Sequence, residues 1–135
     1  MAEKKLPEGT LIALDFGLSR IGVARGSTLL REAVPLTIIH AKTKADRWSG
    51  LDAVVSEWEP VAFVVGVPRH GDGTPTTITA TCEKFARQVA ARYCRPSFTV
   101  DERYSSVVVE SDADYIDDEA AAVILGQYFL EHPSA

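Results

Sequence analysis

No segment of the chain is apolar enough to cross a bilayer, and Met1 to Thr10 lacks the hydrophobic centre of a secretion signal. A cytoplasmic protein with no membrane partner is predicted. Cysteine is scarce, with only Cys82 and Cys94. Both fall on one predicted helical stretch, where a rise of about 1.5 Å per residue separates them by roughly 18 Å, far beyond the roughly 7 Å limit for a disulfide. They read as reduced packing residues. Internal repeats, low-complexity tracts and an interdomain linker are missing, as is a G-x-x-x-x-G-K phosphate loop. A basic surplus is missing too: 14 Lys and Arg against 19 Asp and Glu leave a net charge of −5. Phosphate affinity comes largely from Lys and Arg, so this balance argues against a simple basic nucleic-acid module.

With 46% apolar and 24% charged residues in 135, the composition is that of an ordinary globular chain long enough for one hydrophobic core. The expected organisation is a flexible leader over 1–9, one domain over 10–131 and a short tail over 132–135. Leu11 to Phe16 reads as a first strand, Gly17-Leu18-Ser19 as a turn in which Gly17 supplies a positive φ, and Arg20 to Ala24 as a returning strand. A third strand is predicted over Leu29 to Leu36. Trp48, Leu51, Val54, Val55 and Trp58 recur at helical spacing and predict an amphipathic helix over Lys44 to Trp58, ended by Pro60. Val61 to Val67 is a nearly continuous β-branched and aromatic run, as a strand covered on both faces requires. A helix over Thr77 to Tyr93, a short strand over Ser97 to Asp101, a short helical stretch capped by Ser105 or Ser106, and a final helix over Asp117 to Leu130 complete the chain.

The most informative residue is Asp15. In Leu11-Ile12-Ala13-Leu14-Asp15-Phe16-Gly17 a carboxylate interrupts a run that otherwise reads as buried, and an unpaired buried carboxylate costs several kcal/mol or more. It needs a partner, a cation or a turn amide. The competing reading makes Asp15 an Asx-type turn residue at the head of a hairpin loop. Two other element ends are acidic: Asp101-Glu102 closes the strand from Ser97, and Asp117-Asp118-Glu119 opens the last helix. In open α/β sheets sites form beyond the carboxyl ends of strands, so these groups can converge. Clustered carboxylates repel unless a cation joins them, and all-oxygen donors suit Mg²⁺ or Mn²⁺. Two such ions about 3.5 to 4 Å apart support phosphodiester cleavage by activating a water and stabilising the leaving oxygen.

Asp117 shares a helix face with Ala121, Ile124 and Tyr128, whereas Asp118 and Glu119 read as residues that complement the helix dipole. Strand alternation sets Asp101 with Thr99 and Glu102 with Phe98 and Val100. With the strand expected to end there, both remain candidates. Gly22, inside the second strand, indicates the close approach of a backbone, a helix or a substrate. Arg69 and His70 lie where phosphate could be touched. Tyr104 either stacks on a base or packs in the core, and packing is favoured.

The residues from Leu14 to Ala24, LDFGLSRIGVA, resemble the D-x-G-x-x-R-I-G-V-A opening of the YqgF (RuvX-like) family of small ribonuclease H-like nucleases. Val64-Val65-Gly66-Val67-Pro68 with Asp72-Gly73 is similar to its V-G-x-P…D-G segment. Val100-Asp101-Glu102-Arg103-Tyr104-Ser105-Ser106 is similar to its D-E-R-[LY]-[ST]-[ST] segment, and Ile116-Asp117 with Ala120-Ala121 to its final I-D-x-x-A-A helix. The resemblance implies an α/β ribonuclease H-like fold, with three antiparallel strands, two parallel strands and helices on both faces. It further implies an acidic site at Asp15, Glu102 and Asp117 that binds two Mg²⁺ or Mn²⁺ ions, with Asp101 as alternate ligand. Substrate contacts are implied for Arg20, Arg103, Ser105 and Ser106. The implied partner is nucleic acid: precursor 16S rRNA cut at its 5′ end, or branched DNA at a Holliday junction.

One departure from the family pattern stands out. Only fourteen residues separate Glu102 from Asp117, and they carry Glu110, Asp112 and Asp114, where the family has a longer and often basic stretch. Loss of phosphate contacts there is expected to weaken substrate binding. Arg20 and Arg103 adjoin acidic residues, so an ion pair with Asp15 or Asp101 is their competing role. Two other functions fit parts of the pattern. The Asp15-Phe16-Gly17 hairpin resembles the phosphate loop of actin-like ATPases and sugar kinases, although one domain offers no second jaw. An inactive scaffold fits the short acidic stretch.

Overall fold

The computed structural model describes residues 7–104 and 116–132, with Arg103 and Tyr104 as backbone only. The elements are β1 (Thr10–Phe16), β2 (Arg20–Ser27), β3 (Ala33–His40), α1 (Lys44–Trp58), β4 (Ala62–His70), α2 (Thr79–Tyr93), β5 (Ser97–Tyr104) and α3 (Asp118–Glu131). They build one five-stranded sheet of order β3-β2-β1-β4-β5. β1 pairs antiparallel with β2, as does β2 with β3, whereas β4 runs parallel to both β1 and β5. This is the mixed sheet that the family resemblance implied.

Alternation along β1 divides the core in two. Ile12, Leu14 and Phe16 join Leu51 of α1 and Phe85 and Val89 of α2 on one face. Leu11 and Ala13 join Ala121, Ile124 and Leu125 of α3 on the other. β4 is buried from Ala62 through Pro68 because it lies between these layers, which is why its sequence is a continuous apolar run. Each fully buried Phe, Leu or Val removes enough apolar surface from water for about 1.5 to 3 kcal/mol. α1 has the predicted bounds: Thr43 Oγ1 accepts the Asp46 amide at 3.0 Å, and Glu59 at φ 45° stops the helix before Pro60.

β2 runs on to Ser27 and β4 to His70, each three residues past its predicted end, and three further expectations change. The third strand lies at Ala33–His40 rather than 29–36. Ser27 Oγ accepts the amides of Leu29 and Leu30 and holds that stretch as a turn, leaving both leucines about two-thirds exposed. β3 is an edge strand and carries Pro35 beside the register shift at Val23/Ala24, a position where a missing N–H is tolerated. β5 continues to Tyr104, three residues past the predicted end. Cys82 is buried as expected, but Cys94 is exposed just past the end of α2, and both are free thiols. The short helix predicted from Ser105 or Ser106 lies outside the described residues.

The turn before β3 also fastens α3. That helix has no basic residue in its last turn. Arg31 supplies one: its Nη2 donates to the carbonyls of Phe129 and His132 at 2.6 Å each, and its guanidinium lies 4.9 Å from the centre of the Phe129 ring. Arg31→Ala is expected to lower the free energy of unfolding by about 2 kcal/mol, because two charge-assisted bonds and a cation–π contact are lost together. Urea denaturation measures this directly.

Candidate acidic site

Asp15 is the penultimate residue of β1 and pairs with Gly22 inside the ladder. The turn closes beyond it, where the Gly17 amide donates to the Arg20 carbonyl at 2.9 Å. Asp15 is therefore a strand residue and the turn reading fails. Gly17 is also not at positive φ, since the only glycine with one among the described residues is Gly73. It is small for reasons of space, because a Cβ there would sit 3.0 Å from Arg20 O and from Ile116 Cγ1.

Alternation points Asp15 to the α3 face with Leu11 and Ala13. It is only 5% exposed, and its Oδ2 has no hydrogen-bond partner. Burial pushes its pKa up to about 7; the Asp117 backbone N–H, which donates to it, works against that rise, and the charges of Glu102 and Asp117 add to it.

Asp117 is brought there by the first turn of α3. It is the N-cap, with extended backbone and Oδ1 accepting the Ala120 amide at 2.7 Å, while Asp118 and Glu119 fill the first turn as dipole-complementing residues. Its main chain lies directly on β2. A Cβ added to Gly22 would be 2.9 Å from Asp117 Cα and would collide with the Asp117 carbonyl. Gly22 is thus the gap through which α3 reaches Asp15, and the approaching partner is a backbone.

Because β5 runs on to Tyr104, the pleat separates Asp101 from Glu102. Phe98 and Val100 pack on the α3 side, and Glu102 follows them, with its Cγ 3.5 Å from a Cβ built on Gly66. Burial, with a smaller contribution from the charge of Glu131, raises its carboxyl to about 7. Glu131, at the end of α3, is a neighbouring carboxylate that no sequence motif marked. Asp101 points to the opposite face, where Arg69 Nε donates to it at 3.3 Å and Arg69 Nη2 reaches Glu83 at 3.2 Å. Arg69 is thereby held between two carboxylates rather than free for phosphate. Arg20 makes no ion pair with Asp15 or Asp101 among the described residues. The Arg103 side chain, the Tyr104 side chain, Ser105 and Ser106 lie outside the described residues.

The structure therefore groups Asp15, Glu102 and Asp117 on one sheet face and sends Asp101 to the other. Among the described residues no three acidic or other metal-ligating side chains already stand within one coordination sphere. Asp117 is turned to cap its own helix. The donor set nonetheless fits a hard divalent cation, because all three groups offer oxygen and Asp15 holds a buried oxygen that nothing satisfies.

The raised carboxyls have a consequence for stability. A carboxyl whose pKa rises on folding binds its proton more tightly in the native state, so stability is greatest at low pH and falls as pH climbs from the unfolded value through the folded one. For Asp15 that window runs from 3.8 to about 7. The metal-free protein is expected to lose stability across it by about 4 kcal/mol from this residue. Urea denaturation at a series of pH values checks the direction, and a flat profile or a rise with pH contradicts it.

A mixed sheet of this order, with helices on both faces and carboxylates near the carboxyl ends of β1 and β5, is a ribonuclease H-like fold. The fold aligns with the T. thermophilus RuvC solved in complex with Holliday junction substrate, at a TM-score of 0.53 over 93% of this chain and 96% of that one, with 13% identity. The family profile described as RuvX, Holliday junction resolvase, matches residues 9–131, and the chain belongs to that family. A protein of Paraburkholderia xenovorans (strain LB400) is 41% identical over 90% of this chain and 88% of its own length. One from Ralstonia pickettii (strain 12J) is 43% identical over 93% and 90%. Both carry the name "Putative pre-16S rRNA nuclease". Among the described residues no helix is long and apolar enough to cross a membrane.

Proposed function

We propose that the chain is a divalent-metal-dependent nuclease that hydrolyses phosphodiester bonds, with precursor 16S rRNA as substrate. The observation that carries the reading is the unpartnered, buried Oδ2 of Asp15 on the sheet face shared with Glu102 and Asp117. The names of the relatives at 41% and 43% identity supply the substrate. The family description favours a second reading, cleavage of branched DNA.

Asp15, Glu102 and Asp117 would hold Mg²⁺ or Mn²⁺ through carboxylate oxygens. When bound, such ions polarise the scissile phosphate and lower the pKa of water at the site. The chain's own contribution is positional. The Asp117 amide orients the Asp15 carboxyl, Gly22 permits that approach, and the apolar floor of Ala13, Val64 and Ile124 excludes water from one side of the carboxylates. Above pH about 7 both Asp15 and Glu102 are free to act as anionic ligands; below it they hold protons, and cation binding weakens. Cleavage is therefore expected to rise with pH through about 7.

Purified protein would be incubated with a precursor 16S 5′-end RNA and with a four-way DNA junction, in Mg²⁺, in Mn²⁺ and in EDTA. Metal-dependent cleavage of the RNA supports the first reading, and cleavage of the junction alone supports the second. Cleavage that survives EDTA, or no cleavage of either substrate, contradicts both.

A further inference from the structure

The chain is acidic overall, and its sequence between Glu102 and Asp117 is acidic as well, yet the fold gathers cations at the sheet end that carries Asp15. β2 begins and β3 ends at the sheet end that carries Asp15, and Arg20 pairs with His40 across them. The Ala41 amide donates to the Ser19 carbonyl at 3.0 Å, which ties the β1–β2 turn to the connection leading into α1. That connection and the first turn of α1 carry Lys42, Lys44 and Arg47. Lys42 and Lys44 are exposed, and neither pairs with a carboxylate among the described residues. Arg47 is half-buried with its guanidinium 4.7 Å from the centre of the ring of Phe16, which follows Asp15 and points to the other sheet face, again with no carboxylate partner among the described residues. Between Lys42 and Arg47 the chain carries one acid, Asp46, against an overall net charge of −5.

Arg69, at the β4 end of the sheet, is by contrast bound to Asp101 and Glu83. A polyanion is drawn toward unpaired cations rather than paired ones.

We propose that Arg20, Lys42, Lys44 and Arg47 form a phosphate track that carries the nucleic-acid backbone away from the acidic site over the β1–β2 turn and the start of α1. The inference rests on the nuclease reading for the identity of the polyanion. It places the substrate grip on β2, the β3–α1 connection and α1, not on the segment that follows β5. Lys42 and Lys44 give contacts to phosphate without sequence information, and Arg20 can take a phosphate bidentately.

The test is binding in EDTA, where cleavage is silent. A fluorescein-labelled RNA hairpin with a single-stranded 5′ extension would be titrated by anisotropy at several salt concentrations between about 50 and 200 mM. Lys42→Glu/Lys44→Glu is compared with Arg87→Glu/Arg95→Glu, an equal charge change on exposed residues of α2 and of the loop before β5. The track predicts that the first variant binds at least about tenfold more weakly and that its log–log salt slope falls by roughly 1.5 to 2, while the control keeps both values. Equal losses in the two variants, no loss in either, or no binding by the native protein would overturn it. Native protein that binds through Lys42 and Lys44 but cuts nothing in Mn²⁺ retires the nuclease reading and leaves the track. Cutting with unchanged binding by Lys42→Glu/Lys44→Glu retires the track and leaves the nuclease.

Discussion

Asp15→Asn is expected to lower metal-dependent cleavage by about 10³-fold or more while making the metal-free protein more stable at pH 8. The two effects have one cause. Asp15 sits 5% exposed in a strand between apolar layers, with one oxygen unpartnered, and burial holds its pKa near 7. At pH 8 the folded protein must keep that carboxylate ionised, against the preference of its surroundings. Asparagine removes the charge at almost no change in volume, and the Asp117 amide still finds an acceptor in the carbonyl oxygen of the substituted side chain. The melting temperature is expected to rise by about 5 °C or more at pH 8 and to change little near pH 4, where the native carboxyl already holds a proton. Cleavage falls because a neutral amide is a poor ligand for a hard cation, and a cation supplies several kcal/mol of transition-state stabilisation, worth about three orders of magnitude in rate. A residue whose removal stabilises the fold and abolishes activity is kept for function. If Asp15→Asn instead destabilises the protein at pH 8, its carboxylate has a structural partner and this account of the site fails.

Gly22→Ala carries the second large effect. The added methyl would have to occupy the space of the Asp117 carbonyl, which is main chain at a helix N-terminus and cannot swing aside as a side-chain tip can. Overpacking against backbone costs about 3 kcal/mol, and the relief available is to lift the start of α3 off β2. That movement takes the Asp117 amide away from Asp15. Gly22→Ala is therefore expected to lower the urea midpoint and to reduce cleavage even at temperatures where the variant remains folded. Gly126→Ala is the matched control, because nothing lies within 4 Å of a Cβ at that helical position. Equal stability of the two variants would contradict the close approach of α3 to β2.

Much of this arrangement is legible in the amino-acid order because several signals are local. The α1 bounds follow from apolar spacing, Thr43 and Pro60, all within one short segment. The buried strand β4 follows from an unbroken apolar run. Asp15 is conspicuous because a charge inside such a run has an energetic cost whatever surrounds it. Other features depend on contacts that no local pattern records. Leu29 and Leu30 read as strand residues, yet Ser27 Oγ captures their amides and Arg31 anchors the turn to the end of α3, about a hundred residues later. The choice between Asp101 and Glu102 hangs on whether β5 continues, and its pairing along β4 through His70 and Tyr104 carries the pleat past both. Lys42 and Lys44 carry no local signal in a chain with scattered cations, because only the antiparallel return of β2 and β3 sets them beside the acidic end of β1. Glu131 is silent for the same reason.

The carboxyls of Asp15, Glu102 and Asp117 are held together, on this account, to bind a divalent cation. Calorimetric titration of the native protein with Mn²⁺ near pH 7, in two buffers of different ionisation enthalpy, tests that claim most directly. Saturable binding with release of protons is expected, since carboxyls held near pKa 7 must give them up to bind a cation, and that binding is expected to be lost in both Asp15→Asn and Asp117→Asn. Absence of saturable binding, or binding that survives both substitutions, would contradict it.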